Sequence, residues 1–196
     1  QQELRNKLQE LIHLLQSRQN SSGNFSYWPG ENAGDNENIN TQFSSLYAIH
    51  LLTDAKALNI NISSDMLEQG LEYLKEVARK NPTNLEQARL QAYAIYLLTR
   101  NEIITTNYLT HLQLYLEQNP QDQQQLWRKD ITSAYLAATY KLLQDDKTAE
   151  NLINYYHPIT TINPETNPSF NNFHNDNIAN AQYLYLIAKH FPEKLK

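Results

Sequence analysis

Residues 84–100, "NLEQARLQAYAIYLLTR", decide the fold. Apolar side chains recur at helical spacing along one line through Leu85, Ala88, Ala92, Ile95 and Tyr96. A second line runs through Tyr93, Leu97 and Leu98. A helix that is apolar on two sides has to be covered from two sides, so this segment predicts an inner helix held between neighbours.

The segments on either side set up an alternation. Before it, 64–78 carries a single stripe of Leu67, Gly70, Leu71, Leu74 and Val77/Ala78, with Ser63 or Ser64 as its cap. After it, 105–117 is shorter and carries Leu109, Leu112, Tyr115 and Leu116. Further out, helices at 39–58, 123–144 and 175–191 are again two-sided. The first pairs Phe43, Leu46, Tyr47 and Leu51 with Ala48, Ile49 and Leu52; the second runs through Trp127, Ile131, Ala134, Tyr135 and Ala138; the third pairs Ile178, Ala181, Tyr185 and Ala188 with Leu184, Ile187 and Phe191. Helix 1–18 (Leu4, Leu8, Leu11, Ile12, Leu15) and a short helix bearing Ala149, Leu152, Ile153 and Tyr156 are one-sided. Strand patterns do not occur.

Eight helices in outer/inner order, with hairpins recurring every 40 to 50 residues or so, predict an all-α helical-repeat architecture. Two forms compete. A solenoid stacks hairpins in an open array, whereas an α/α toroid closes them into two concentric layers that bury the inner helices. The two-sided helices favour the toroid, and four hairpins are too few to close a six-hairpin ring. Residues 1–196 are accordingly expected to be one all-helical domain, incomplete and cut from a longer chain. Its opening, Gln1-Gln2-Glu3-Leu4, goes straight into helical pattern.

Composition excludes several functions. The net charge is −5 and basic residues are scattered, so the footprint of a nucleic-acid binder is missing. No apolar run approaches the roughly 18 residues of a membrane span. With no cysteine there is no disulfide, thiolate metal site or cysteine nucleophile.

Candidate chemistry is sparse. The six histidines include no HExxH pair. His50, on an apolar helix four residues before Asp54, could serve as a general base facing a ring centre, but a hydrogen-bonded core or rim histidine is the favoured reading. A hydrolase or lyase would need two converging carboxylates. Asp35, Glu37, Asp130 and Asp176 are the candidates, and Asp130, followed by Ile131-Thr132, reads as part of a buried polar contact. There is no GxSxG elbow, P-loop or GxGxxG. No catalytic, cofactor-binding or metal residue is expected, and most of the thirteen tyrosines read as packing.

Two long irregular segments, 19–38 and 157–174, interrupt the helices. The first holds the aromatic run Phe25-Ser26-Tyr27-Trp28-Pro29. Its expected job is structural: a tight turn at Gly23, Phe25 and Trp28 inserted between helix ends, and Pro29 fixing the exit. A docking role towards another domain remains the alternative.

Five blocks together, "RQNSSGNFSYWPG" (18–30), "LEQGLEYLKEVARK" (67–80), "QAYAIYLLTRNEIITTNYLTHLQLYLE" (91–117), "WRKDITSAYLAATYKLLQDDKTAENLI" (127–153) and "NAQYLYLIAKHFPEKL" (180–195), resemble the thioester-domain region of bacterial alpha-2-macroglobulins. That family is similar to complement proteins, whose thioester domain is an α/α toroid. In the wider toroid superfamily, Gln-x3-Gly-x-Phe runs recur at helix joints, and Gln19, Gly23 and Phe25 fit that spacing. The resemblance implies a secreted, periplasmic or cell-envelope protein that traps proteases and is not an enzyme. In it, cleavage of a bait segment exposes an internal Cys-Gln thioester, which acylates the protease without any cofactor. The implied partners are other domains of the parent chain and the target proteases, with no nucleic acid or membrane contact by this region. The Cys-x-Glu-Gln motif, which the family carries upstream of the region resembled, is not in these residues, so the parent chain either carries it there or belongs to the family's thioester-less branch. Readings from other classes are a toroid carbohydrate-active enzyme or cyclase, and a helical-repeat interaction scaffold.

Overall fold

A computed structural model describes residues 2–28, 39–118, 124–158 and 175–195. Every regular element among them is helical: α1 (Gln2–Gln16), α2 (Ile39–Ala57), α3 (Ser64–Arg79), α4 (Leu85–Arg100), α5 (Thr106–Gln118), α6 (Ile131–Leu142), α7 (Asp146–Ile153) and α8 (Asp176–His190). Short 3-10 turns at Leu126–Arg128 and Pro192–Leu195 flank α6 and close the described chain. The protein is all-α.

Capping chemistry sets where these helices start. The Ser63 hydroxyl accepts the Met66 N–H at α3, the Asn84 side chain that of Gln87 at α4, and the Asn175 side chain that of Ile178 at α8. Each relieves one of the four amide donors that a helix N-terminus leaves without an intrahelical partner. At α4 the exchange is reciprocal, since Gln87 Oε1 accepts from the Thr83 amide at 2.9 Å and from its hydroxyl at 3.1 Å. The helix expected from 123 begins only at Ile131, because Asp130 caps it by accepting from the Thr132 amide. Trp127 sits on the preceding 3-10 turn and is buried there.

The chain divides into two compact units, Gln1–Lys80 and Asn81–Lys196. In the second, α6 is the hub, packing against α4, α7 and α8, while α5 packs on α4. Residues 90–98 of α4 and 131–139 of α6 are buried without a break. A run of nine cannot be enclosed on one face of a helix with 3.6 residues per turn, so both helices are covered all round, as their two-sided patterns require. Full burial of each large apolar side chain in such a run contributes about 1.5–3 kcal/mol. Tyr93 and Tyr96 of α4 both meet the ring of Tyr135 on α6, at centroid distances of 4.5 and 5.8 Å.

The first unit is covered less completely than its sequence predicts. α2 packs on α3, and Gly70 makes the approach close: a Cβ there would stand 3.0 Å from Ile49 Cγ1. Leu46, Ile49 and Leu52 of α2 are fully enclosed, yet Tyr47 is 58% exposed. In α1 only Ile12 of the expected stripe is buried, while Leu4 and Leu11 are 72% and 52% exposed. α8 of the second unit likewise buries Leu186 and Ile187 but leaves Leu184 56% exposed. The physical reason is common to the three helices. An apolar stripe is buried only where a second element stands against it, and no described residue covers these.

Candidate functional site

The loop between α1 and α2 is built from the backbone outward. The Asn20 amide donates to Asn24 O and the Gly23 amide to Asn20 O, both at 2.9 Å, closing a tight turn in which Gly23 takes φ +85°. Only glycine fits: a Cβ would stand 2.0 Å from Gln69 O on α3, and the left-handed conformation strains any other residue. Gln19 bridges antiparallel to Phe25, and its side-chain Nε2 donates to Gly23 O at 3.2 Å and Met66 O at 2.8 Å, tying the turn to α3.

Phe25 then plugs into the unit. It is buried, and its backbone is held by a side chain of α2: the Phe25 amide donates to Ser45 Oγ at 2.9 Å, and the Ser45 hydroxyl faces Phe25 O at 3.3 Å and Thr41 O at 2.9 Å. Ser26 continues the tie, its amide donating to Arg18 O. Gln19, Gly23 and Phe25 are thus brought together at one anchor, and Ser45 completes it. Ser45 escaped the sequence reading, although a serine inside the buried stripe of α2 has to find backbone partners.

Beyond Phe25 the expectation fails. Trp28 is 67% exposed and is not inserted between helix ends, and Tyr27, 40% exposed, lies on the surface with its hydroxyl 3.0 Å from Ser44 Oγ of α2. The reason is geometric. With Phe25 pointing into the core and Gly23 pressed on α3, the chain leaves the anchor outward and carries the next two aromatic rings away from the interior. Pro29 lies outside the described residues, as do Asp35 and Glu37.

The remaining candidates are structural. Asp130 is gripped by Arg89, whose Nε lies 3.0 and 3.1 Å from the two carboxylate oxygens and whose Nη2 lies 2.5 Å from one of them. Thr132 adds its amide and hydroxyl at 2.9 and 2.6 Å. Burial pushes the Asp130 carboxyl up, but the Arg89 bonds and charge together with the Thr132 bonds outweigh it, and the group titrates below the usual 3.8. A carboxylate held ionised in this way serves as an anchor and not as a proton donor. Asp176 lies exposed in the first turn of α8. The half-buried His50 has Nε2 3.6 Å from Asp54 Oδ2, one turn on along the same helix. Among the described residues no three His, Cys, Asp or Glu side chains are placed to hold a metal ion. None of the described helices is long and apolar enough to cross a membrane.

Similarity to known proteins follows the whole described framework. The chain is 38% identical over 189 residues, 96% of its length, to an "Alpha-2-macroglobulin" of Rickettsia conorii, and 32% identical over 213 aligned positions, 100% of its length, to an "Alpha-2-macroglobulin homolog" of Yersinia pestis. A Pasteurella multocida alpha-2-macroglobulin aligns at 29% identity over 96% of the chain. Along nearly its whole length the chain is thus similar to bacterial alpha-2-macroglobulins. It spans about a tenth of the length of these alpha-2-macroglobulins, 9% of the first two and 10% of the third. No family model and no solved structure matches it.

Proposed function

We propose that residues 1–196 form one domain, part of the thioester domain of a bacterial alpha-2-macroglobulin-like protease trap, and that their α4 and α6 are inner helices of an incomplete α/α toroid. The observation that carries this reading is end-to-end similarity to two alpha-2-macroglobulins of which the chain spans only about a tenth. In this reading the parent protein works outside the cytoplasm, in the periplasm or cell envelope. After bait cleavage, the acyl carbon of its Cys-Gln thioester is attacked by an amine or hydroxyl of the protease. The carbon–sulfur bond breaks, an amide or ester forms, and the cysteine leaves as a thiol carrying the proton of the nucleophile.

The present chain has no cysteine and so cannot contribute the thioester sulfur. Its contribution is the rigid helical frame that shields and orients the neighbouring reactive segment. The test has two parts. The parent gene should encode Cys-x-Glu-Gln within roughly 50 residues upstream of Gln1. The intact protein should form covalent adducts with a protease that has cut it, visible as high-mass bands that resist boiling in detergent and are abolished by methylamine. A parent protein that neither traps a protease nor changes its hydrodynamic radius after bait cleavage defeats the reading.

A further inference from the structure

We infer that the aromatic ledge formed by Tyr27, Trp28, Phe43 and Tyr47 is a docking surface for another domain of the longer parent protein. The inference rests on the chain being part of such a protein. Four observations carry it.

The ledge faces outward. Tyr27 reaches α2 at Ser44, next to Phe43, and the Phe43 and Tyr47 rings stack one turn apart at a centroid distance of 6.1 Å and 19° between planes. Tyr27, Trp28 and Tyr47 are all exposed. It is also firmly mounted. The Gln19, Gly23, Phe25 and Ser45 anchor ties the loop to α2 and α3, and Ser26 Oγ donates to Trp28 O at 2.9 Å, so the backbone that carries Tyr27 and Trp28 is held in place before any partner binds.

The two stretches that carry the rings have no charge of their own: residues 19–28 and 39–47 contain no Asp, Glu, Lys or Arg, and the segment 29–38 that joins them adds only acidic residues, Glu31, Asp35 and Glu37. Exposed Tyr and Trp beside the half-buried Phe43, on two stretches without a cation, have the composition of a protein–protein interface core and lack the charges that a phosphate or an anionic lipid would need. Finally, the matched alpha-2-macroglobulins are about ten times longer than the chain, so in them this region is flanked by much further protein. A partner surface is therefore supplied within the same molecule, and α2, patterned for cover on both sides, obtains its second cover from it.

Hydroxyl-radical footprinting read by mass spectrometry tests this on two samples, the 196-residue chain and the intact parent protein, each normalised to an added reporter peptide. Phe25 should label slowly in both, which verifies the anchor. Trp28 and Tyr47 should label fast in the chain and on the order of fivefold more slowly in the parent, as ring atoms enter a dry interface. Labelling of Trp28 in the parent within about twofold of that in the chain overturns the inference, as does protection in either sample that grows with protein concentration, which would assign the ledge to self-association. A parent protein that shields Trp28 but traps no protease leaves the docking surface standing and removes the inhibitor reading. One that traps protease with Trp28 fully labelled removes the docking surface alone.

Discussion

Arg89 and Asp130 lie 41 residues apart in the chain and form a forked ion pair, with Arg89 Nε shared between both carboxylate oxygens and Nη2 closing on one of them. The pair joins α4 to the N-terminus of α6, and the carboxylate also supplies the α6 cap. Both side chains are mostly buried, at 15% and 12% exposed, so each depends on the other for its charge. Removing one partner strands a buried charge. Arg89→Met should destabilise the second unit by about 3–5 kcal/mol. Asp130→Ala should cost that much plus about 1 kcal/mol for the lost cap. Urea unfolding followed by the fluorescence of the buried Trp127, in a Trp28→Phe background, measures both.

The same pair makes the second unit acid-sensitive. The folded Asp130 carboxyl titrates below 3.8, its unfolded value. Its contribution is therefore fully present above about pH 4 and is lost as the pH falls through the folded value, because the unfolded chain then binds the proton more readily. The midpoint followed by Trp127 should drop steeply in this range, and Asp130→Asn should flatten the drop. An unchanged acid slope in that variant would show that other carboxylates govern it.

At the loop anchor two neighbouring positions should behave in opposite ways. Gly23→Ala combines a strained φ with a Cβ driven into the Gln69 carbonyl, and should cost the first unit more than about 3 kcal/mol. Trp28→Ala removes a ring that is two-thirds exposed, and should change the stability of the chain by less than about 0.5 kcal/mol. Thermal melts by circular dichroism separate the two. A large loss for Trp28→Ala would mean that the ring is packed after all.

Tyr156 ties the end of α7 to α8 through a 3.0 Å bond from its hydroxyl to Asn180 Oδ1. Burial, with the charges of Asp130 and Asp176, pushes its phenol up to about 12. The raised value means that this contribution is complete below pH 10 and is lost as the pH rises through about 12. Tyr156→Phe keeps the ring and should cost about 1 kcal/mol at neutral pH, measured by urea unfolding. The variant should also lose the part of the alkaline destabilisation that Tyr156 supplies.

Much of this molecule was legible in the residues because it is local. The helices follow from 3.6-residue periodicity. The start of α6 is misplaced by that reading, because the apolar period through Trp127 carries the expected helix back to 123, past the Asp130 cap. The starts of α3, α4 and α8 follow from Ser63, Asn84 and Asn175, whose side chains reach only three residues ahead. Gly23 was legible as a turn for the same reason. Which apolar stripes would be covered was not legible, because periodicity records that Tyr47 and Leu184 share faces with buried neighbours but not whether another element stands there.

The sequence by itself determined an all-α chain of capped, amphipathic helices, its similarity to bacterial alpha-2-macroglobulins, and the absence of a thiol. These depend on short-range hydrogen bonding, on periodicity and on composition. Only the tertiary structure decided that Arg89 would find Asp130, that Ser45 would hold Phe25, and that Trp28 would face outward while Phe25 turned in. Each of these depends on where distant backbone segments meet, and a pair of residues carries no local mark of a partner 20 or 41 positions away.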